Sequence, residues 1–96
     1  MSNVDSTFYD RADAHIHLSN EQFSEDVGKG KVSASMMYAA SRFNAWVSAC
    51  GWENGEEMEA AKEETIAYFV EQYKAMLEEK LSDYIENFDS YMTRKE

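Results

Sequence analysis

Apolar residues return along this chain in three stretches, each at helical spacing. In the first, Phe8, Ala12, Ile16, Ser19 and Phe23 follow one another at steps of four, four, three and four. At 100° per residue they share one face, about 80° wide. Asp10, Asp13, His17 and Glu21 occupy the opposite face. The spacing predicts a helix over about 7–26, capped by Thr7 through the amide three residues on, with Asp10 in the positive first turn. Gly28-Lys29-Gly30-Lys31 reads as a turn; it is too short for a phosphate loop, and no Ser or Thr follows a lysine in the required place.

The second stretch, about 33–50, places Val32, Met36, Ala39, Ala40, Phe43, Val47 and Cys50 on one face, with Ser33 as cap and Val32 and Met37 as flanking hydrophobic staple. Its far face reads Ala34, Tyr38, Ser41, Ala45, Ser48 and Ala49, and Arg42 is its lone charge. A helix that is small or apolar on all sides is usually buried on all sides, and small residues admit a second helix at close range. Gly51 is expected to stop it.

The third stretch, about 55–93, opens with Asn54 as cap and Glu57 three residues later, a capping box. Its stripe is Ile66, Val70, Tyr73, Leu77, Leu81, Tyr84, Phe88 and Tyr91, a mean step of about 3.6 residues with one extra four-step from Leu77 to Leu81. Phe69, Met76, Ile85 and Met92 widen it. No break is evident between Met58 and Met92, so a helix about 55 Å long stands beside two of about 30 Å. The shorter pair cannot cover the longer stripe. Leu81, Tyr84, Ile85, Phe88, Tyr91 and Met92 would stay exposed, a larger patch than a soluble monomer shows. Two chains completing one bundle supply the cover, a two-fold dimer being the commonest closed form. Ala45 would lie near a helix crossing. The alternative is a kink near Ser82 and Asp83 that returns the tail as a fourth helix.

The fold class is therefore all-α: a three-helix chain in a single domain spanning 1–96, with a long C-terminal helix, completing a larger bundle by self-association. Composition narrows the function. Nine basic residues against nineteen acidic give a net charge of −10, which opposes direct binding to nucleic acid or an anionic membrane. Residues 1–50 hold four basic and six acidic side chains, residues 51–96 five and thirteen, so the acidity belongs to the third stretch. No apolar run approaches a membrane span. Met1 to Thr7 is polar and acidic, unlike a signal or transit peptide. Together these give the expectation of a cytoplasmic protein.

Candidate chemistry is sparse. His15 and His17 are two apart and point away from each other on a helix, and neither Glu-x-x-His nor His-Glu-x-x-His occurs. Asp10, Asp13, His17 and Glu21 share a face, which reads as solvated rather than as a metal site. No metal or cofactor is expected. Cys50, the only cysteine, cannot form an internal disulfide, and it is expected to be a buried, inert hydrophobe. Arg42 either pairs inside the bundle or sends its head to water. Asn44 is a candidate polar pin between helices, His15 a packed boundary residue, and Trp46 and Trp52 packing residues at the corner; an exposed Trp would point to a partner site instead. Glu53, Glu56, Glu57, Glu59, Glu63 and Glu64 read first as a solvated, dipole-stabilised helix start. Their sharper reading is a docking surface for a basic protein or a mimic of nucleic-acid phosphates, and Lys62, Lys74 and Lys80 weaken the mimic.

Phe8-Tyr9-Asp10-Arg11-Ala12-Asp13, Val32-Ser33-Ala34-Ser35, Tyr38-Ala39-Ala40-Ser41-Arg42-Phe43-Asn44-Ala45, Gly51-Trp52-Glu53-Asn54-Gly55 and Tyr84-Ile85-Glu86-Asn87-Phe88 resemble a short proteobacterial family of uncharacterised acidic helical proteins, a domain of unknown function. The resemblance covers nearly the whole chain and implies a bacterial, cytoplasmic, helical protein; it carries over no catalytic or ligand residue. The expectation is a non-enzymatic, self-associating protein-interaction module. The rival is a bundle with a small-molecule or metal site where His15, Arg42 and Asn44 converge.

Overall fold

Local hydrogen bonds, more than apolar period, set where the helices of this chain start and stop. The computed structural model describes residues 4–92, and these form five helices with no strand among them: α1 Phe8–Glu21, α2 Lys29–Ala49, α3 Gly55–Ala60, α4 Lys62–Glu86 and α5 Phe88–Met92. The chain divides into two units, Met1–Val47 and Ser48–Glu96. The all-α class and the long C-terminal helix stand as expected. Residue 93, the expected end of the third helix, lies outside the described residues.

In the first unit, Thr7 precedes α1 but does not cap it through its side chain. Its amide and hydroxyl both donate to Asp5 Oδ1 (3.0 and 3.1 Å), and its hydroxyl accepts from Arg11 Nη1 at 2.8 Å. Arg11 closes the cluster on Asp5 Oδ2 at 2.9 Å. The expected Thr7 cap is thus replaced by an Asp5–Thr7–Arg11 cluster, because the hydroxyl gives its proton to the Asp5 carboxylate and accepts from the Arg11 guanidinium, charge-assisted bonds that take the place of a helix amide. Asp10 does stand in the first turn. α1 ends at Glu21, five residues short of the expected boundary. The amides of Gln22 and Phe23 turn to carbonyls three residues back, Ser19 and Asn20, a tightened final turn. Phe23 consequently lies beyond the helix.

The Asp5 cluster has a measurable consequence. The Arg11 guanidinium first, then the Thr7 amide and hydroxyl, hold the Asp5 carboxyl well below the usual carboxylate range. A carboxyl whose folded pKa is depressed contributes stability above its unfolded value of about 3.9 and loses that contribution as pH falls toward the lowered folded value. In a carbon-detected NMR titration Asp5 should stay ionised through the ordinary carboxylate range. Arg11→Ala should raise it toward that range, the two Thr7 bonds still holding it below. A wild-type midpoint near the ordinary value would rule the cluster out in solution.

α2 begins four residues before the expected start. Ser24 and Val27 exchange backbone bonds (3.0 and 3.3 Å), Lys31 Nζ donates to the Asp26 carbonyl, and Val32 N bonds Gly28 O at 3.2 Å. The turn is complete by Gly28, so Lys29 to Lys31 are helical rather than a turn, and Gly30 is the second residue of the helix. Ser33 is therefore an interior residue, not the cap, and the Val32–Met37 staple is not needed. Val32 is the buried hydrophobic residue of the described chain, at 5% exposure; Met36 is half-buried, and Phe43 and Val47 are exposed. α2 ends at Ala49, and Gly51 N bonds Ser48 O at 3.0 Å without a positive φ, so the stop does not use the left-handed conformation that glycine permits.

In the second unit the capping box forms as expected. Asn54 Oδ1 accepts from Glu57 N at 2.9 Å, and Glu57 Oε1 accepts from Glu53 N, one residue before the cap, at 2.9 Å. The helix that follows is interrupted twice. At Ala61 (φ −97°, ψ 4°) the amide is shared between the carbonyls of Glu57 and Met58 before α4 resumes. At Asn87 (φ −114°, ψ 28°) the side chain donates back to the Asp83 carbonyl at 3.1 Å and to Asp83 Oδ1 at 2.9 Å. Such back-bonding competes with the helical ladder and explains why α4 stops there. The break falls five residues after Ser82, and it separates only the one-turn helix α5.

Candidate interaction surface

α4 places its apolar residues on one stripe because they recur at three- and four-residue steps along 25 helical residues. Among the described residues of this unit nothing covers that stripe. The large apolar side chains of α4 and α5 range from 40% exposed at Leu77 to 76% at Ile85, with Phe69 half-buried. Leu81, Tyr84, Ile85, Phe88, Tyr91 and Met92, the residues expected to lack cover, are all exposed.

Their presentation is set by a cluster that the sequence reading missed. Tyr91 Oη donates to Asp83 Oδ2 and Oδ1 (3.1 and 3.3 Å), the latter also accepting from Asn87, and the Tyr84 and Tyr91 rings meet edge-on with centroids 5.0 Å apart. Asp83, Asn87 and Tyr91 stand at i, i+4 and i+8; that spacing was the available signal. The bond to Asp83 raises the Tyr91 hydroxyl above its ordinary pKa. The same spacing rule would have flagged Thr7 with Arg11.

The second helix differs more from expectation. Ala45, Met37, Tyr38, Phe43, Trp46 and Val47 are exposed, the Phe43 and Trp46 rings being 5.6 Å apart. Trp46 and Trp52 are therefore not packing residues; they are 61% and 40% exposed. Cys50, expected on a core face, is exposed, because α2 has already ended and Cys50 lies in the turn beyond it. Arg42 is exposed and forms no buried pair. Arg42→Ala should consequently change the unfolding midpoint by no more than about 0.5 kcal/mol equivalent, as surface substitutions do. A loss of several kcal/mol in chemical denaturation would contradict this placement.

His15 is exposed rather than packed at a boundary, and Asn44 is half-buried, its side chain without a hydrogen bond among the described residues. No bond joins His15, Arg42 and Asn44. An open hollow in the second unit is lined by Gly51, Trp52, Glu57, Ala60, Ala61 and Glu64, none of the three. His17 Nε2 lies 3.3 Å from Glu21 Oε2, one helical turn away. Among the described residues no three His, Cys, Asp or Glu side chains gather as a metal centre requires. Glu53, Glu56, Glu59, Glu63 and Glu64 are exposed around the capping box. No described helix is long and apolar enough to cross a membrane.

The family model for DUF3144, a protein of unknown function, matches residues 8–85. No curated protein matches the chain. Among solved structures, the NMR structure of the protein NB7890A from a Shewanella species is similar to it, at 44% identity and a TM-score of 0.79, with 98% of this chain and 100% of that chain covered.

Proposed function

The chain belongs to the DUF3144 family, proteins of unknown function, and from that premise we propose that it is a self-associating protein-interaction module, non-enzymatic and cytoplasmic. The observation that carries the reading is the uncovered stripe of α4 and α5. Each large apolar side chain buried is worth about 1.5–3 kcal/mol, and a small chain has little stability to forgo. A second copy meets the stripe with an identical one, as a two-fold dimer does. Leu81, Tyr84, Ile85, Phe88, Tyr91 and Met92 form the contact, with Ala45 near a crossing. The exposed glutamates of α3 and early α4 remain at its rim, where a basic protein partner would dock by charge complementarity. Sedimentation equilibrium tests the association: a dimer of the 11.1 kDa chain is expected at tens of micromolar, and a monomer at that concentration refutes it.

A site for a small molecule or metal at His15, Arg42 and Asn44 has no converging geometry in its favour, and the acidic surface opposes nucleic acid and anionic membrane as direct ligands.

A further inference from the structure

We infer that the second copy lies antiparallel along α4 with the two-fold axis beside Leu77; this rests on the self-association proposed above. The positions concerned are Ile66, Val70, Tyr73, Leu77, Leu81 and Tyr84 of α4 and Phe88, the first residue of α5. Their steps run four, three, four, then four, three, four. The spacing therefore reads the same from either end, with Leu77 at its centre. An axis there sets Ile66 against the second copy's Phe88, Val70 against its Tyr84, Tyr73 against its Leu81, and Leu77 against itself.

Three further features favour this direction. The first is volume. Every antiparallel pair away from the axis joins an aromatic ring to an aliphatic side chain, so the seam has even thickness. A parallel pair would stack Tyr on Tyr and Phe on Phe while leaving Val on Val thin, which close-packed helices at one axial separation tolerate poorly. The second is charge. Glu56, Glu57, Glu59, Glu63 and Glu64 crowd the start of the unit. Parallel copies bring two such runs side by side, whereas antiparallel copies part them by about 40 Å even at Glu64, far beyond the screening length of about 8 Å. The third is the four-step from Leu77 to Leu81, an insertion that locally unwinds a left-handed supercoil and lets two straight helices lie alongside each other at the axis.

The area fits a second copy as occupant. A fully buried aromatic removes about 150–250 Å², so seven half-exposed side chains and their flanks offer about 800 Å² per copy, the usual share of a stable interface.

Cysteine crosslinking in a Cys50→Ser background reads the direction, with sedimentation and circular dichroism run on every variant. Leu77→Cys should form a disulfide dimer with itself. Val70→Cys and Tyr84→Cys should each fail alone and crosslink when mixed. Dimers in which Val70→Cys or Tyr84→Cys pairs with itself as readily as Leu77→Cys overturn the antiparallel direction and leave self-association standing. A sedimenting dimer with no crosslink at any of the three positions removes α4 as the seam. A wild-type monomer removes the self-association itself. If a variant loses helix, isotope-filtered NOEs in a mixture of labelled and unlabelled wild type replace it: Val70 methyl to Tyr84 ring contacts between copies are expected, and their absence in a dimer counts against the arrangement.

Discussion

Phe88→Asp is expected to weaken dimerisation at least ~100-fold, leaving monomer, aggregate or unfolded chain at concentrations where the wild type is dimeric. Phe88 opens α5 and is 58% exposed in the single chain. Burial of such a ring is worth about 1.5–3 kcal/mol, and a two-fold contact contains two of them. A loss of about 3–6 kcal/mol corresponds to roughly a 100-fold to 10,000-fold rise in Kd. The aspartate adds the cost of a charge with no cation opposite it. Sedimentation velocity over a dilution series measures the change, and thermal unfolding of the wild type should rise in midpoint with protein concentration, as it does when folding and association are linked. An unchanged sedimentation coefficient for the variant would show that Phe88 lies outside the interface.

Asn54→Ala is expected to cost about 1 kcal/mol, within a range of about 0.5–2, and to lower the midpoint by about 4–8 °C for a chain of this size. The side chain of Asn54 satisfies the Glu57 amide, and the Glu57 carboxylate in turn satisfies the amide of Glu53. Both donors belong to the start of the second unit, where unpaired amides would otherwise rely on water. Because the two bonds share Glu57, Asn54→Ala and Glu57→Ala should be non-additive, with a coupling of at least about 0.5 kcal/mol in a double-mutant cycle. Comparison at one fixed protein concentration separates this effect from association. Simple additivity would mean that the two bonds form independently.

Two properties were legible in the residues themselves because they depend on neighbours a few positions away. Helical period placed Ile66, Val70, Tyr73, Leu77, Leu81 and Tyr84 on one face, and α4 carries them there. The Asn54–Glu57 box was legible because its partners are three residues apart. The lengths of the apolar stretches led to the expectation that only the C-terminal part of the stripe would lack cover; its side chains are exposed, but so are Ile66, Val70 and Tyr73, so length was not what decided it.

What the residues alone did not decide is how each helix ends and what faces each side chain across space. Asn87 can continue a helix or bond back to Asp83; the Tyr91 hydroxyl on the same carboxylate adds to the second arrangement, and the helix breaks. Thr7 can cap α1 or join Asp5 and Arg11, and the two charged partners prevail. Gly30 can end a turn or enter a helix, and the preceding Ser24–Val27 turn starts α2 early enough to include it. Cys50, Trp46 and Trp52 were read as interior because a small, uncharged helix is usually surrounded, yet all three are exposed, and of the two placements open to Arg42 the exposed one is found; what faces a side chain is a property of tertiary packing to which no sequence period refers. Period fixes which face of a helix is apolar, and only the arrangement of the folded chain fixes what that face meets.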